Sequence, residues 1–312
     1  MKGSNISSYK DSLGKNIYLE DLYIEYRKEY FGEKNFLDLN LKNVNKKNFQ
    51  FTIDTSKGNK IINSYGHPIE FDFKELEYIS LKKIFKEIVL ASKENGIKKI
   101  FIKKRISEKS LDNFKKTKNK TLISCYKESI LMLDQDLDAI KKNFKKGHKS
   151  SLKTNYDNLT YEIIDYKNYP NNEILQMMKL HKKVAGHVTR SEKSWKINEQ
   201  MILGKKGFLI KVTENKKPIS YAFFFHNKFF SLYFSACTIR EKFKIYKNIS
   251  HKTIWLAIQH LKKIGCKQFL MGNVKTIFSV NKFDSKTKNI ELFKSSFGGD
   301  KNFYVEYYLK VL

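Results

Sequence analysis

The side chains able to do chemistry in this chain are few, and they fall in short segments. Ser250, His251 and Lys252 follow an apolar run, FFSLYFSA at 229–236, and open an amphipathic stretch. If that stretch is a helix, Ser250 can cap it by accepting from the first unpaired backbone donors. Its N-terminus then offers N–H groups and a helix dipole to an anion. His251 either bonds a phosphate, moves a proton near neutral pH, or packs on the first helical turn. A second group, His181, His187, Arg190 and Trp195, lies in LHKKVAGHVTRSEKSW at 180–195. Arg190 can grip a carboxylate or phosphate in a forked geometry, or make an exposed salt bridge. Trp195 serves either packing or stacking against a sugar. No Ser/His/Asp or Cys/His nucleophile arrangement is evident. Cys125, Cys237 and Cys266 are odd in number and widely separated. They form no CxxC or Cys/His spacing, so neither a disulfide framework nor a metal site is expected.

Positioning these groups requires a strand–helix–strand unit. Ile254, Ala257, Ile258, Leu261 and Ile264 recur at helical spacing, Gly265 supplies a left-handed stop, and 268–271 resumes an apolar run. That length suits a parallel crossover. Upstream, 208–212, 219–225 and 229–236 read as strands joined by antiparallel hairpins, preceded by helices over 173–184 and 192–203. In the first half, strands are expected at 50–54 and 60–63 around a turn at 57–59. Tyr65-Gly66-His67-Pro68 is a rigid bend. A helix opening at Ser80 carries Ile84, Phe85, Ile88 and Val89 on one face, and a strand at 97–103 and a polar loop at 105–120 follow. A single basic helix is expected over 134–154, and a last strand, 304–311, alternates as a sheet edge would. The fold class is α/β, divided into an N-terminal domain, 1–135, and a C-terminal domain, 136–312.

The length of 312 residues suits two domains, and 41% hydrophobic content is enough to build a core in each. The net charge of +29 favours nucleic acid, an anionic membrane face or a phosphate-rich ligand. The excess is mostly Lys, however, and a generally Lys-rich solvated surface is the simpler account of it. No apolar run approaches the ~18 residues of a membrane span, and the N-terminus has no signal-like apolar core. A soluble, reducing, cytoplasmic setting is expected.

Several segments, in order, resemble the FemAB-like branch of the GNAT N-acyltransferase superfamily, in which two such domains stand in tandem. Tyr65-Gly66-His67-Pro68 is similar to its "YGY-P" bend, and 131–134 with the basic 141–154 stretch to its "LDL" strand and Arg/Lys-rich segment. The 180–195 segment resembles "H…AGR-TR…TW", SHKTIWLAIQHLKKIGCKQFLMG at 250–272 resembles "H…W-AI…G…DLG", and FKSSFGGD at 293–300 resembles "FK-FGG". The resemblance implies tandem GNAT-like domains with mixed sheets flanked by helices. It also implies direct attack of an amine on an activated ester or thioester, without a covalent enzyme intermediate. His181, His187, Arg190 and Trp195 would border the acceptor groove, and Tyr65 and His67 would either face the groove between the two domains or serve the geometry of their bend alone. Ser250, His251 and Lys252 would hold the donor, and Lys294 would neutralise charge on the donor or on the tetrahedral intermediate. His251, Lys294 and His181 are the catalytic candidates. The implied donor is acyl-coenzyme A, with aminoacyl-tRNA as the alternative. The acceptor would be an amino group of a cell-envelope or surface-polysaccharide precursor, small or lipid-linked, with peripheral membrane contact compatible. One departure bears on the donor: TIREKFKIYKNI at 238–249 has no glycine, whereas the superfamily cradles the coenzyme A pyrophosphate with a Gly-rich turn there. His187 stands where the pattern more often has Arg. A catalytically silent basic module that binds RNA or an anionic surface is the rival expectation.

Overall fold

The chain passes from one folding unit to another inside a strand, after Glu128. Unit 1 comprises Met1–Glu128, Asn273–Asp284 and Lys301–Leu312; unit 2 comprises Ser129–Gly272 and Ser285–Asp300. The computed structural model describes residues 17–39, 51–55, 60–70, 78–106, 122–275 and 285–311. The turn at 57–59 and most of the 105–120 loop lie outside the described residues.

Unit 1 contains α1 (Asp21–Phe31), β1 (Phe36–Leu39), β2 (Phe51–Asp54), β3 (Ile61–Asn63), β4 (Ile69–Glu70), α2 (Tyr78–Glu94), β5 (Lys99–Ile106) and the start of β6 (Leu122–Met132). The last strand, β12 (Asp300–Lys310), returns to this unit. Its strand order is β1-β2-β3-β5-β12-β6, with β4 also on β5. Ile84 and Ile88 of α2 pack on Ile53, Ile62, Ile100 and Ile102, the apolar face that the helical spacing calls for. The alternation of β12 suggested a sheet edge. The strand instead runs antiparallel along β5, from Phe303↔Ile106 to Lys310↔Lys99, with β6 on its other side. Tyr304 and Val305 at 1% and 0% exposure are covered on both faces. This pairing differs from a division at 135/136, because residues 301–312 join unit 1.

Unit 2 contains α3 (Leu137–Lys142), α4 (Lys146–Lys153), β7 (Leu159–Ile164), α5 (Glu173–Ala185), α6 (Glu192–Leu203), β8 (Gly207–Glu214), β9 (Lys217–His226) and β10 (Phe230–Thr238). After these come α7 (Arg240–Ile245), α8 (Ile249–Lys263), β11 (Gln268–Lys275) and α9 (Ser285–Ser295). The strand order is β6-β11-β10-β9-β8-β7, antiparallel from β10 to β7, with β11 parallel to β10 after the α8 crossover. Successive side chains of β9 face opposite ways. Ala222 and Phe224 join Ile254, Ala257, Ile258 and Leu261 of α8 in one core, whereas the Tyr221 hydroxyl donates to Glu173 of α5. The sheet of unit 2 therefore has an α8 face and an α5–α6 face.

The basic stretch at 134–154 is two helices, not one. Asp136 caps α3 by accepting from Ala139 N at 2.7 Å, and the chain turns extended at Lys145. The break buries Phe144 edge-on against Trp255 and Phe297, and Lys145 N donates to Ser296 O. Burying one aromatic side chain, ~1.5–3 kcal/mol, exceeds what continuing a Lys-rich helix through one more turn contributes.

Candidate active site

Strands β10 and β11 pair only at Phe230↔Gln268, Ser231↔Phe269 and Leu232↔Leu270. Beyond those residues they part, and the register of β10 against β9 shifts between Tyr233 and Ser235. The result is a wedge at the carboxyl ends of two parallel strands, where α/β folds place ligands. Tyr233–Thr238 lines one side and Met271–Gly272 the other.

On the α5–α6 face, the loop between these helices is shaped by Gly186 at φ +79 and by Ser191, whose hydroxyl accepts from Ser194 N. His181, near the C-terminal end of α5, shares a 3.2 Å hydrogen bond with Thr189 Oγ1. Arg190 Nη2 donates to Ser235 Oγ at 3.2 Å, and its guanidinium carbon lies 4.6 Å from the centre of the Trp195 ring. The His181 ring meets Trp195 edge-on at 5.4 Å. Trp195 is 2% exposed, so it backs Arg190 and His181 and is no open stacking platform. Burial, with Arg190 and His187 nearby, lowers the pKa of His181 and favours the neutral imidazole. His187 is exposed, its Nδ1 3.1 Å from Ala185 O. The base of α5 is fixed by Glu173, which accepts from Tyr221 and pairs with Lys211 at 3.0 Å.

On the α8 face, the expected cap is corrected. The cap position is Asn248, and Ser250 sits inside the first turn. Asn248 does not cap with its side chain. Its Nδ2 donates to Ser151 O at 3.1 Å and Thr154 O at 2.6 Å, tying the α8 N-terminus to the end of α4. Lys252 Nζ donates to Asn155 Oδ1 at 2.9 Å and lies over the Tyr161 ring. His251 meets His148 edge-on at 4.3 Å between ring centres, with Phe293 at 5.1 Å and Phe297 at 6.2 Å. His148 Nε2 and His251 Nδ1 are buried without a hydrogen-bond partner among the described residues. Burial lowers both pKa values, against backbone hydrogen bonds at Phe293 and Lys247 that favour the charged rings; that of His148 falls to about 4, helped by His251 and Lys145. His148 had no signal in the sequence beyond an imidazole inside a Lys run, because only the break at Lys145 turns it inward.

Lys294, on α9, lays its ammonium against Gly272 of β11. A Cβ on that glycine would stand 2.8 Å from Nζ, and the glycine itself has φ +97. Burial lowers the pKa of Lys294, opposed by Glu291. The structure thus brings His181, Arg190 and Trp195 together beside Ser235. It puts Lys294 at the other strand of the wedge, and His251 on the α8 face with His148. Tyr65 and His67 belong to unit 1. There Tyr65, at φ +46, donates its hydroxyl to Asp38 at 2.6 Å and accepts at its carbonyl from Arg27 Nε. The His67 Nε2 and the Tyr23 hydroxyl are 2.8 Å apart. Burial, reinforced by Arg27 and Lys103, holds the His67 pKa well below its ordinary value.

No protein-family profile matches the sequence, and no curated protein matches it. Solved structures do. The crystal structure of FemX aligns over 99% of this chain and 97% of its own, with a TM-score of 0.64 at 12% identity. A C-terminal domain assigned to lysylphosphatidylglycerol synthetase from Agrobacterium fabrum aligns over 96% and 92%, with a TM-score of 0.55 at 11% identity. L-PGS from Bacillus licheniformis aligns over 94% and 92%, at 0.53 and 11%. At these identities the likeness is one of fold. The chain has the FemX-like, mixed α/β fold that its motifs led us to expect.

Proposed function

We propose that this chain transfers an activated aminoacyl group to an amine of a cell-envelope precursor, at the wedge between β10 and β11. The observation that carries the reading is the wedge itself, with the Lys294 ammonium on one strand at Gly272 and the Arg190–Ser235 contact on the other. An extended acyl or peptidyl chain can lie along strand edges left unpaired in this way. The neutral amine attacks the ester carbonyl carbon, and the oxygen takes up negative charge. Lys294, partly withdrawn from water, offsets that charge more strongly than an exposed lysine would. His181, kept neutral, takes the amine proton, and the ester oxygen leaves with a proton from the medium. Arg190 orients a carboxylate or phosphate of the acceptor.

The fold is shared with FemX and with the domain assigned to lysylphosphatidylglycerol synthetase, and the second of these is named for an aminoacylated lipid. Aminoacyl-tRNA is favoured over acyl-coenzyme A as donor by the N-terminus of α8. Asn248 and the end of α4 cover it, and 238–249 offers no glycine for a close approach to pyrophosphate. The test compares two labelled donors, charged total tRNA and acetyl-coenzyme A, each with an extract of envelope precursors. Acceptor-dependent transfer from tRNA supports the reading. Transfer from the thioester alone overturns the donor, and transfer from neither overturns the reaction.

A further inference from the structure

Between β10 and α8 the chain makes the short helix α7, sequence REKFKI. One side of it is anchored. Lys242 pairs with Glu214, which also accepts from the Tyr246 hydroxyl. Tyr246 in turn accepts from Asn158 and packs edge-on against Tyr156 at 4.8 Å. With Lys242 and Tyr246 held inward, Phe243 and Ile245 project into solvent at 45% and 57% exposure. Around them stand exposed cations: Arg240, Lys244 and Lys247 on the same segment, Lys153 at the end of α4, and Lys216 and Lys217 at the β8–β9 turn. The contacts of Tyr246 with Tyr156, Asn158 and Glu214 draw these three segments together. The exposed carboxylates among them are Glu241 and Asp157, so the surface carries a net positive charge.

We propose that this face docks on an anionic lipid surface. A protruding Phe and Ile ringed by Lys and Arg is the makeup of an interfacial element. The apolar pair enters the headgroup boundary while the cations stay with the lipid phosphates. RNA would satisfy the cations equally well, but an isoleucine offers a base no π-face, and nothing in RNA covers it. Anchoring by the Lys242–Glu214 pair keeps the projecting side chains in place before contact, so little ordering is needed on docking. The proposal does not depend on the transfer reaction.

The experiment is co-sedimentation of the full chain with vesicles of equal parts phosphatidylglycerol and phosphatidylcholine, and with phosphatidylcholine alone. Filter binding to uncharged tRNA runs beside it. The wild type is expected on the anionic vesicles and not on the neutral ones. Phe243→Ser with Ile245→Ser lowers that partition more than tenfold and leaves tRNA binding unchanged. Lys244→Gln with Lys247→Gln lowers it by about fivefold for each cation removed. All these positions are exposed, so a thermal melt is expected to match the wild type. Vesicle binding that ignores the Phe243/Ile245 change, or is absent altogether, overturns the proposal. Loss of tRNA binding in the Phe243/Ile245 variant also overturns it, and marks the face as one for RNA.

Discussion

Acid titration of His148 gives a quantitative check on the α8 face. Its imidazole lies between His251, Phe293 and Phe297, and burial brings its pKa from the ordinary 6.5 of a histidine down to about 4. The unfolded chain therefore takes up this proton first as pH falls. The contribution of His148 to stability is whole above pH 6.5, declines between pH 6.5 and 4, and is lost below that. A shift of that size has an upper bound of about 3.4 kcal/mol at ~1.36 kcal/mol per pKa unit. The ring is only partly buried, and solvent screening brings this to about 1–2 kcal/mol. Urea unfolding at pH 7.5, 6.5, 5.5 and 4.5 would be compared for the wild type and His148→Phe, which keeps an aromatic ring against Phe293 and Phe297. The variant should lose about 1–2 kcal/mol less than the wild type across this range. Parallel stability curves would refute the placement of the His148 ring in an apolar environment that disfavours its charge.

Glu173→Ala strands the Lys211 ammonium beneath α5 and leaves the Tyr221 hydroxyl only its long contact with Gln176 Oε1 at 3.4 Å. It should cost about 3 kcal/mol in chemical denaturation, the low end for a broken buried pair because Lys211 keeps some access to water. Glu173→Gln, which still accepts from Tyr221, should cost less. Gly272→Ala sets a methyl against Lys294 Nζ at a backbone φ of +97. Strain of about 1–3 kcal/mol should appear in a thermal melt, and transfer should fall on the order of 100-fold if the ammonium moves by an ångström. Arg190→Lys keeps the charge but loses the guanidinium over the Trp195 ring and its forked donors, so KM for the acceptor should rise by roughly tenfold while the melt stays close to wild type.

Much of the fold was legible because local pattern and tertiary outcome agree. The spacing of Ile254, Ala257, Ile258 and Leu261, the left-handed Gly265 and the hairpins from β8 to β10 all form as their residue types dictate. Where the reading differed, a long-range contact decided. Phe144 breaks the basic helix to reach Trp255 and Phe297, and β12 leaves the sheet edge for a place beside β5. Of the candidate site, the His181–Arg190–Trp195 cluster was visible because one short segment supplies all three. The cap at Ser250 was misplaced, since Asn248 spends its amide on the carbonyls of α4, nearly a hundred residues earlier. His148 was invisible for the same kind of reason: its neighbours come from α8 and α9, and no local spacing announces them.

If the wedge between β10 and β11 carries an acyl transfer assisted by the Lys294 charge, removing that charge must slow the transfer step itself. The most direct measurement is single-turnover transfer from charged tRNA to an amine-bearing envelope precursor, by the wild type, Lys294→Ala and Lys294→Arg. The account predicts acceptor-dependent transfer by the wild type, a loss of about 100-fold or more in Lys294→Ala, and partial recovery in Lys294→Arg. Equal single-turnover rates in all three proteins, with their melts unchanged, would contradict it.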